Sequence, residues 1–221
     1  MDILLFLFMR RAGMTVDAFR HHYLDVHVPL AIRTSTATGR YVIRLTEDGH
    51  GPVPVDAVTE IVTPSADVFF DPDRGFTSPE DAVEVITDSL NFLAPFPIYQ
   101  VRRTVLRATD RSGGLEEQVP GTRSPGVTLA RLELGDGGPA RPMPDPPDEL
   151  VRDHLRYDVL KTIGEGPDLR SVDLVHLRPG ADVDRYAADF YSGGVRPEDS
   201  LTQRDNRAAI RRRPHRKRVR R

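Results

Sequence analysis

The chain has no cysteine among its 221 residues, which excludes disulfides and thiolate metal sites but leaves the redox compartment open. It also lacks any apolar run approaching the roughly 20 residues a membrane helix needs. The opening Ile3-Leu4-Leu5-Phe6-Leu7-Phe8-Met9 has only Asp2 before it and Arg10-Arg11 after it. A secretory signal would place positive charge first and small residues at a cleavage site. The run therefore reads as a strand buried on both faces, and the protein is expected to be cytoplasmic and not to engage a membrane. Lysine is nearly absent, with only Lys161 and Lys217, so the positive charge is arginine, which reflects GC-rich coding rather than function. No Gly-rich phosphate loop, nucleophile elbow or dinucleotide fingerprint is present, and chemistry without a cofactor is expected.

What is present is a modest apolar share of 38%, with 19 Pro and 17 Gly, pointing to compact parts joined by irregular segments. Charge is unevenly spread. Ten of the 31 basic residues and one of the 33 acids fall within residues 204–221, so the rest of the chain carries a net −11. A basic tail could anchor to nucleic acid, but it has no interleaved aromatics and the body is acidic, so no nucleic-acid partner is expected.

Periodicity supplies the elements. Thr15 reads as a helix N-cap, and Phe19, Tyr23, Val26 and Leu30 form one apolar helical stripe. Arg40 to Thr46 and Asp56 to Thr63 read as strands separated by a turn at residues 48–52. Ser78-Pro79-Glu80-Asp81 is a helix start, with Val83, Ile86, Leu90 and Leu93 as the expected apolar face. Ile98 to Leu106 is a fourth strand. The order is β-α-β-β-α-β, the ferredoxin-like arrangement, over residues 1–107. Helices cover one face of such a sheet, and pairing two sheets would bury the other around a cavity.

Residues 108–126 read as a linker. Residues 127–192 read as a degenerate or partial second repeat: strand over Val127–Leu134, helix over Asp148–Ile163, strand over Ser171–Arg178, and a short helix over Val183–Phe190. An offset of 132 aligns Arg20 and His22 with Arg152 and His154 but puts Val159 where His27 would be, so one functional site per chain is expected. Residues 193–221 read as a disordered basic tail.

Arg10, Gly13-Met14-Thr15, Phe19, Tyr23, His27-Val28-Pro29-Leu30 and Arg40-Tyr41-Val42 together resemble the motif of the EthD domain family. Glu60, and Asp88 with Phe92, also fall where the family has a Glu and an Asp…Phe pair. The resemblance covers about the first 107 residues. It implies an α+β, dimeric α/β-barrel fold, closed either by a homodimer or by the second half of the same chain as a pseudo-dimer. Relatives by fold or family include polyketide cyclases, dehydratases and cofactor-free monooxygenases, so fold does not fix function.

His27 is the leading candidate for chemistry. It lies about 80° round the helical wheel from Phe19, at the edge of the stripe. An imidazole there either shuttles a proton at neutral pH or caps its own helix. His22 borders the stripe on the opposite side and reads as packing. Glu60 is either an inward acid–base carboxylate or a surface charge. Asp88 either orients His27 or is solvated. Tyr23 and Tyr41 offer hydroxyls to a carbonyl or phenol, or are core aromatics with a wet tip. Arg10 holds an enolate or carboxylate, or pairs with an acid of the body. Phe6 and Phe8 would line an aromatic pocket. His21 and Asp25 share a face but have no third partner, so no metal site is expected.

The resulting expectation is a cofactor-independent, lyase- or cyclase-type enzyme of an aromatic or polyketide-like small molecule. A cofactor-free monooxygenase, an oxidoreductase, is the first alternative. A non-catalytic binding or accessory protein is the second.

Overall fold

A computed structural model of the chain describes residues 1–46, 55–108, 127–135, 149–182 and 200–204. The expected turn at 48–52, most of the linker, the expected helix over 183–190 and the terminal arginine run lie outside the described residues.

The fold is α+β. Strand β1 (Asp2–Phe8) leads through Gly13, at φ +85°, to helix α1 (Val16–His21). The Thr15 hydroxyl caps α1 by accepting from the Ala18 N–H. The helix continues as a π-helical stretch over His22–His27 and then as α2 (Val28–Thr34). Strands β2 (Arg40–Leu45) and β3 (Ala57–Thr63) follow, then a short α3 (Ala66–Phe69), α4 (Pro79–Phe92) and β4 (Ile98–Ala108). Ser78 caps α4, with Pro79 in its first turn. This first part is the expected β-α-β-β-α-β pattern, with strand order β2-β3-β1-β4.

The second part adds β5 (Val127–Leu134), β6 (Val151–Ile163), β7 (Leu169–Leu177) and β8 (Ser200–Arg204). All eight strands form one sheet in the order β2-β3-β1-β4-β6-β7-β5-β8, with β4 pairing to β6 across the two parts and every pairing antiparallel. The sheet curls until its edge strands β2 and β8 have Cα atoms within 8 Å of one another.

Two expectations are corrected. Asp148–Ile163 was read as a helix, but Val151–Ile163 is strand β6. The alternation Leu155-Arg156-Tyr157-Asp158-Val159 has period two, and its apolar members enter a core shared with β1, β3, β5 and β7. Among the described residues the second part therefore contributes strands only. Ser200–Arg204, inside the stretch read as a disordered tail, pairs with β5.

Three of the four residues of the expected apolar face of α4 are turned outward, Val83, Ile86 and Leu90 being 63%, 55% and 68% exposed, while Leu93 is buried as expected. Ala82 and Phe92 are buried instead. The rotation follows from polar anchoring, because Asp88 points inward to two histidines and Phe92 enters the aromatic cluster beside them.

β1 is buried on both faces, as its unbroken apolar run requires. Leu4, Phe6 and Phe8 meet Phe19, Tyr23 and Phe92 under the helices. Leu5 and Leu7 face the other way and pack with Val58, Val101, Leu155, Val172 and Leu174 from both parts of the sheet. No helix of the described residues is long and apolar enough to cross a membrane.

Candidate functional site under the helices

The π-helical stretch decides which side chains enter the helix-covered layer. In a regular α-helix His22 and His27 would lie about 140° apart. An i→i+5 repeat nearly closes one turn across five residues, and here the Val28 N–H donates to the Tyr23 carbonyl. The wide turn brings both histidines to the same side and puts Val26 outward, 44% exposed.

Asp88 on α4 receives both rings. His27 donates from Nδ1 to Oδ2 at 2.8 Å, and His22 from Nε2 to Oδ1 at 2.8 Å. His27 is 4% exposed and packs against the rings of Tyr23 and Phe92, with centroids 5.9 and 5.0 Å away. Burial lowers its pKa from the ordinary 6.5, with the hydrogen bond and charge of Asp88 opposing and His22 adding to the fall. The ring is thus held neutral with its proton on Nδ1, and no described residue bonds Nε2, which carries the lone pair.

One turn away lies a chain of hydroxyls. Tyr23 Oη is 2.6 Å from Thr59 Oγ1 and 3.2 Å from Tyr41 Oη. Burial raises the Tyr23 pKa well above 10, with Tyr41 adding to it, and pushes Tyr41 up to about 12. Both phenols therefore stay protonated at neutral pH and act as hydrogen-bond donors. Phe8 meets Tyr23 edge-on at 5.4 Å, and Phe6 packs at a tilt against Phe8 and Phe96 and edge-on against Phe69.

The structure thus brings His27, Asp88, Tyr23, Tyr41, Phe6 and Phe8 into one layer. It does not bring Glu60 or Arg10 there. Glu60 is on the opposite face of the sheet, since its register partners are Leu5 and Val42. There it is fully buried, accepting from Arg103 Nη1 at 2.9 Å and from the Tyr157 hydroxyl, with Arg40 Nη1 3.8 Å away. Arg10, at the end of β1, forms an ion pair with Asp56 through its side chain and also donates its backbone N–H to that carboxylate at 2.7 Å.

Sequence reasoning missed His22 as a partner of Asp88, Thr59 as a hydroxyl relay, and Tyr157, hidden in a segment read as helix. The five-residue spacing of His22 and His27 was the available signal, legible only once a π-turn is considered. Among the described residues no group of three His, Asp or Glu side chains could hold a metal ion.

These features define a helix-backed α+β domain in which a carboxylate-held imidazole and buried phenols share one aromatic layer. Residues 11–95 match the EthD domain family model. The match ends before β4, so β5 to β8 lie outside it. No curated protein and no solved structure matches the chain.

Proposed function

We propose that the protein is a cofactor-independent enzyme of the lyase or cyclase type acting on an aromatic or polyketide-like small molecule. The observation that carries this reading is the Asp88 carboxylate holding His27 in one tautomer beside the protonated Tyr23–Tyr41 pair. His27 Nε2 takes a proton from a carbon next to a carbonyl. A tyrosine hydroxyl donates to the carbonyl oxygen as it becomes an enolate. Asp88 stabilises the imidazolium, which then delivers the same proton to a departing hydroxyl, releasing water. Glu60 and Arg10 have no part in this scheme, because one faces the other side of the sheet and the other is tied to Asp56.

The test uses a panel of aryl β-hydroxyketones, whose hydroxyl is the group that departs as water, in deuterium oxide. Wild-type protein is expected to exchange deuterium into the acidic carbon and to yield dehydrated product. His27→Gln is expected to lose at least about a hundredfold of that rate. Equal turnover by His27→Gln would end the proposal. Oxygen uptake with a phenol or anthrone, followed at an electrode, would move the reading to a monooxygenase.

The same reading takes the barrel to close within one chain, supported by the β4–β6 pairing and the approach of β2 to β8. A monomer in light scattering is the expected outcome, and an obligate dimer would refute it.

A further inference from the structure

The inward face of the sheet carries a different kind of polar chemistry. Among the described residues, the buried side-chain nitrogens and oxygens without a hydrogen-bond partner are Arg40 Nη2, Arg44 Nε, Nη1 and Nη2, and His176 Nε2. All five belong to three residues of one neighbourhood. Arg40 and Arg44 are four residues apart on β2, with Val42 between them on the same face, opposite Tyr41, Ile43 and Leu45, which join the helix-side core. His176 sits on β7 beside Thr128 and Asp153 in register, and the β2–β8 approach brings that end of the sheet round toward β2. Arg44 repels both neighbours, adding to the desolvation that lowers the pKa of Arg40 and of His176.

Arg44 is 2% exposed, and among the described residues its whole guanidinium is without a partner. A buried cation in that condition is strongly unfavourable unless an anion meets it. The local carboxylates are otherwise engaged. Glu60 is held by Arg103 and Tyr157, and Asp153 accepts from Arg152 Nε at 2.7 Å. The His176 Nδ1 is taken up with Thr128 Oγ1 at 2.7 Å. If that hydroxyl donates, the neutral ring carries its hydrogen on Nε2, and every orphan atom of the cluster is then a donor. A planar fork of donors matches a carboxylate in a bidentate pair. Val58, the register partner of Arg44, belongs to an apolar cluster with Leu7, Leu155 and Leu174.

We propose that this inward cluster binds the carboxylate of a small, otherwise apolar organic acid, with Arg44 as the bidentate anchor and Arg40 and His176 beside it. This site is on the opposite face of the sheet from His27 and stands independently of the reaction proposed there.

The experiment measures binding of benzoate to the full-length chain by equilibrium dialysis and thermal shift. Benzamide, inorganic phosphate and sodium chloride at matched ionic strength are the comparisons. Benzoate is expected to bind saturably and raise Tm, and the three comparisons are expected not to. Arg44→Met should weaken benzoate by about tenfold or more. Arg40→Gln, which keeps Arg44, should weaken it in the same direction and serves if Arg44→Met does not fold. His27→Gln should bind benzoate as the wild type does. Four outcomes overturn the proposal: no saturable benzoate binding, equal stabilisation by benzamide or by phosphate, undiminished binding in both arginine variants, or loss of binding in His27→Gln.

Discussion

The two faces of the strands β2, β3, β1 and β4 handle buried polarity in opposite ways. Under the helices, Asp88 is hydrogen-bonded to His22 and His27, and Tyr23 to Tyr41 and Thr59, so each of these polar groups has a partner. On the inward face Arg40 and Arg103 meet the carboxylate of Glu60, Arg44 lies close enough to Arg40 to repel it, and part of that positive charge has no partner among the described residues. The first arrangement is a held acid–base device. The second is an electrostatic demand, and it is the more fragile of the two.

That contrast sets the order of expected effects. Glu60→Gln should be the most damaging substitution, costing about 4 kcal/mol, because it removes a fully buried carboxylate from between arginines and leaves their charge uncompensated. Urea denaturation measures it. Asp88→Asn should cost less, about 2 kcal/mol, since an amide oxygen still accepts from one histidine while the side chain keeps its shape. If Asp88→Asn proved the costlier change, the assignment of strain to the inward face would be wrong.

Acid should expose a smaller term contributed by both faces. His27 and His176 each have a pKa lowered chiefly by burial. Near the ordinary value of 6.5 the unfolded imidazoles take protons while the folded ones remain neutral. The unfolded state then binds more protons, so stability is full above about pH 6.5 and falls as pH drops below it. The slope between neutral pH and pH 5, read from urea midpoints, should flatten in His176→Gln. Desolvation is the leading cause for His176, with Arg44 and Arg152 adding repulsion, whereas Asp88 offsets part of the fall at His27. The His27→Gln slope should therefore change less.

Much of the first part was legible in the sequence because its signals are local. The Thr15 and Ser78 caps, the unbroken apolar run of β1 and the alternation of β3 each depend on neighbours a few residues away. The pairing of His27 with Asp88 was legible only as one of two options, since it joins residues 61 apart. Arg44 and His176 were invisible as a cluster, because strand periodicity assigns a face and says nothing of what the far edge of a curled sheet brings opposite. β6 is hard to read for a different reason: its charged residues alternate with Leu155, Tyr157 and Val159, and so short a period-two pattern inside a charged segment also fits a helix.

The last prediction concerns α4, where the apolar periodicity was read correctly and its burial was not. A stripe of Val83, Ile86 and Leu90 at helical spacing ordinarily faces a core, and on that reading Leu90→Gln would cost about 2 kcal/mol or more. Here the Asp88 bonds and the Phe92 ring fix the rotation of the helix, and Leu90 stands 68% exposed. Leu90→Gln should then change the urea midpoint by no more than about 0.5 kcal/mol equivalent. Ala82→Gln, on the buried side of the same helix, should be far costlier, because a larger polar side chain would have to enter the packed layer between α4 and the sheet. A reversed ranking would mean that polar anchoring does not set the helix face, and the His27–Asp88 geometry would lose its structural basis with it.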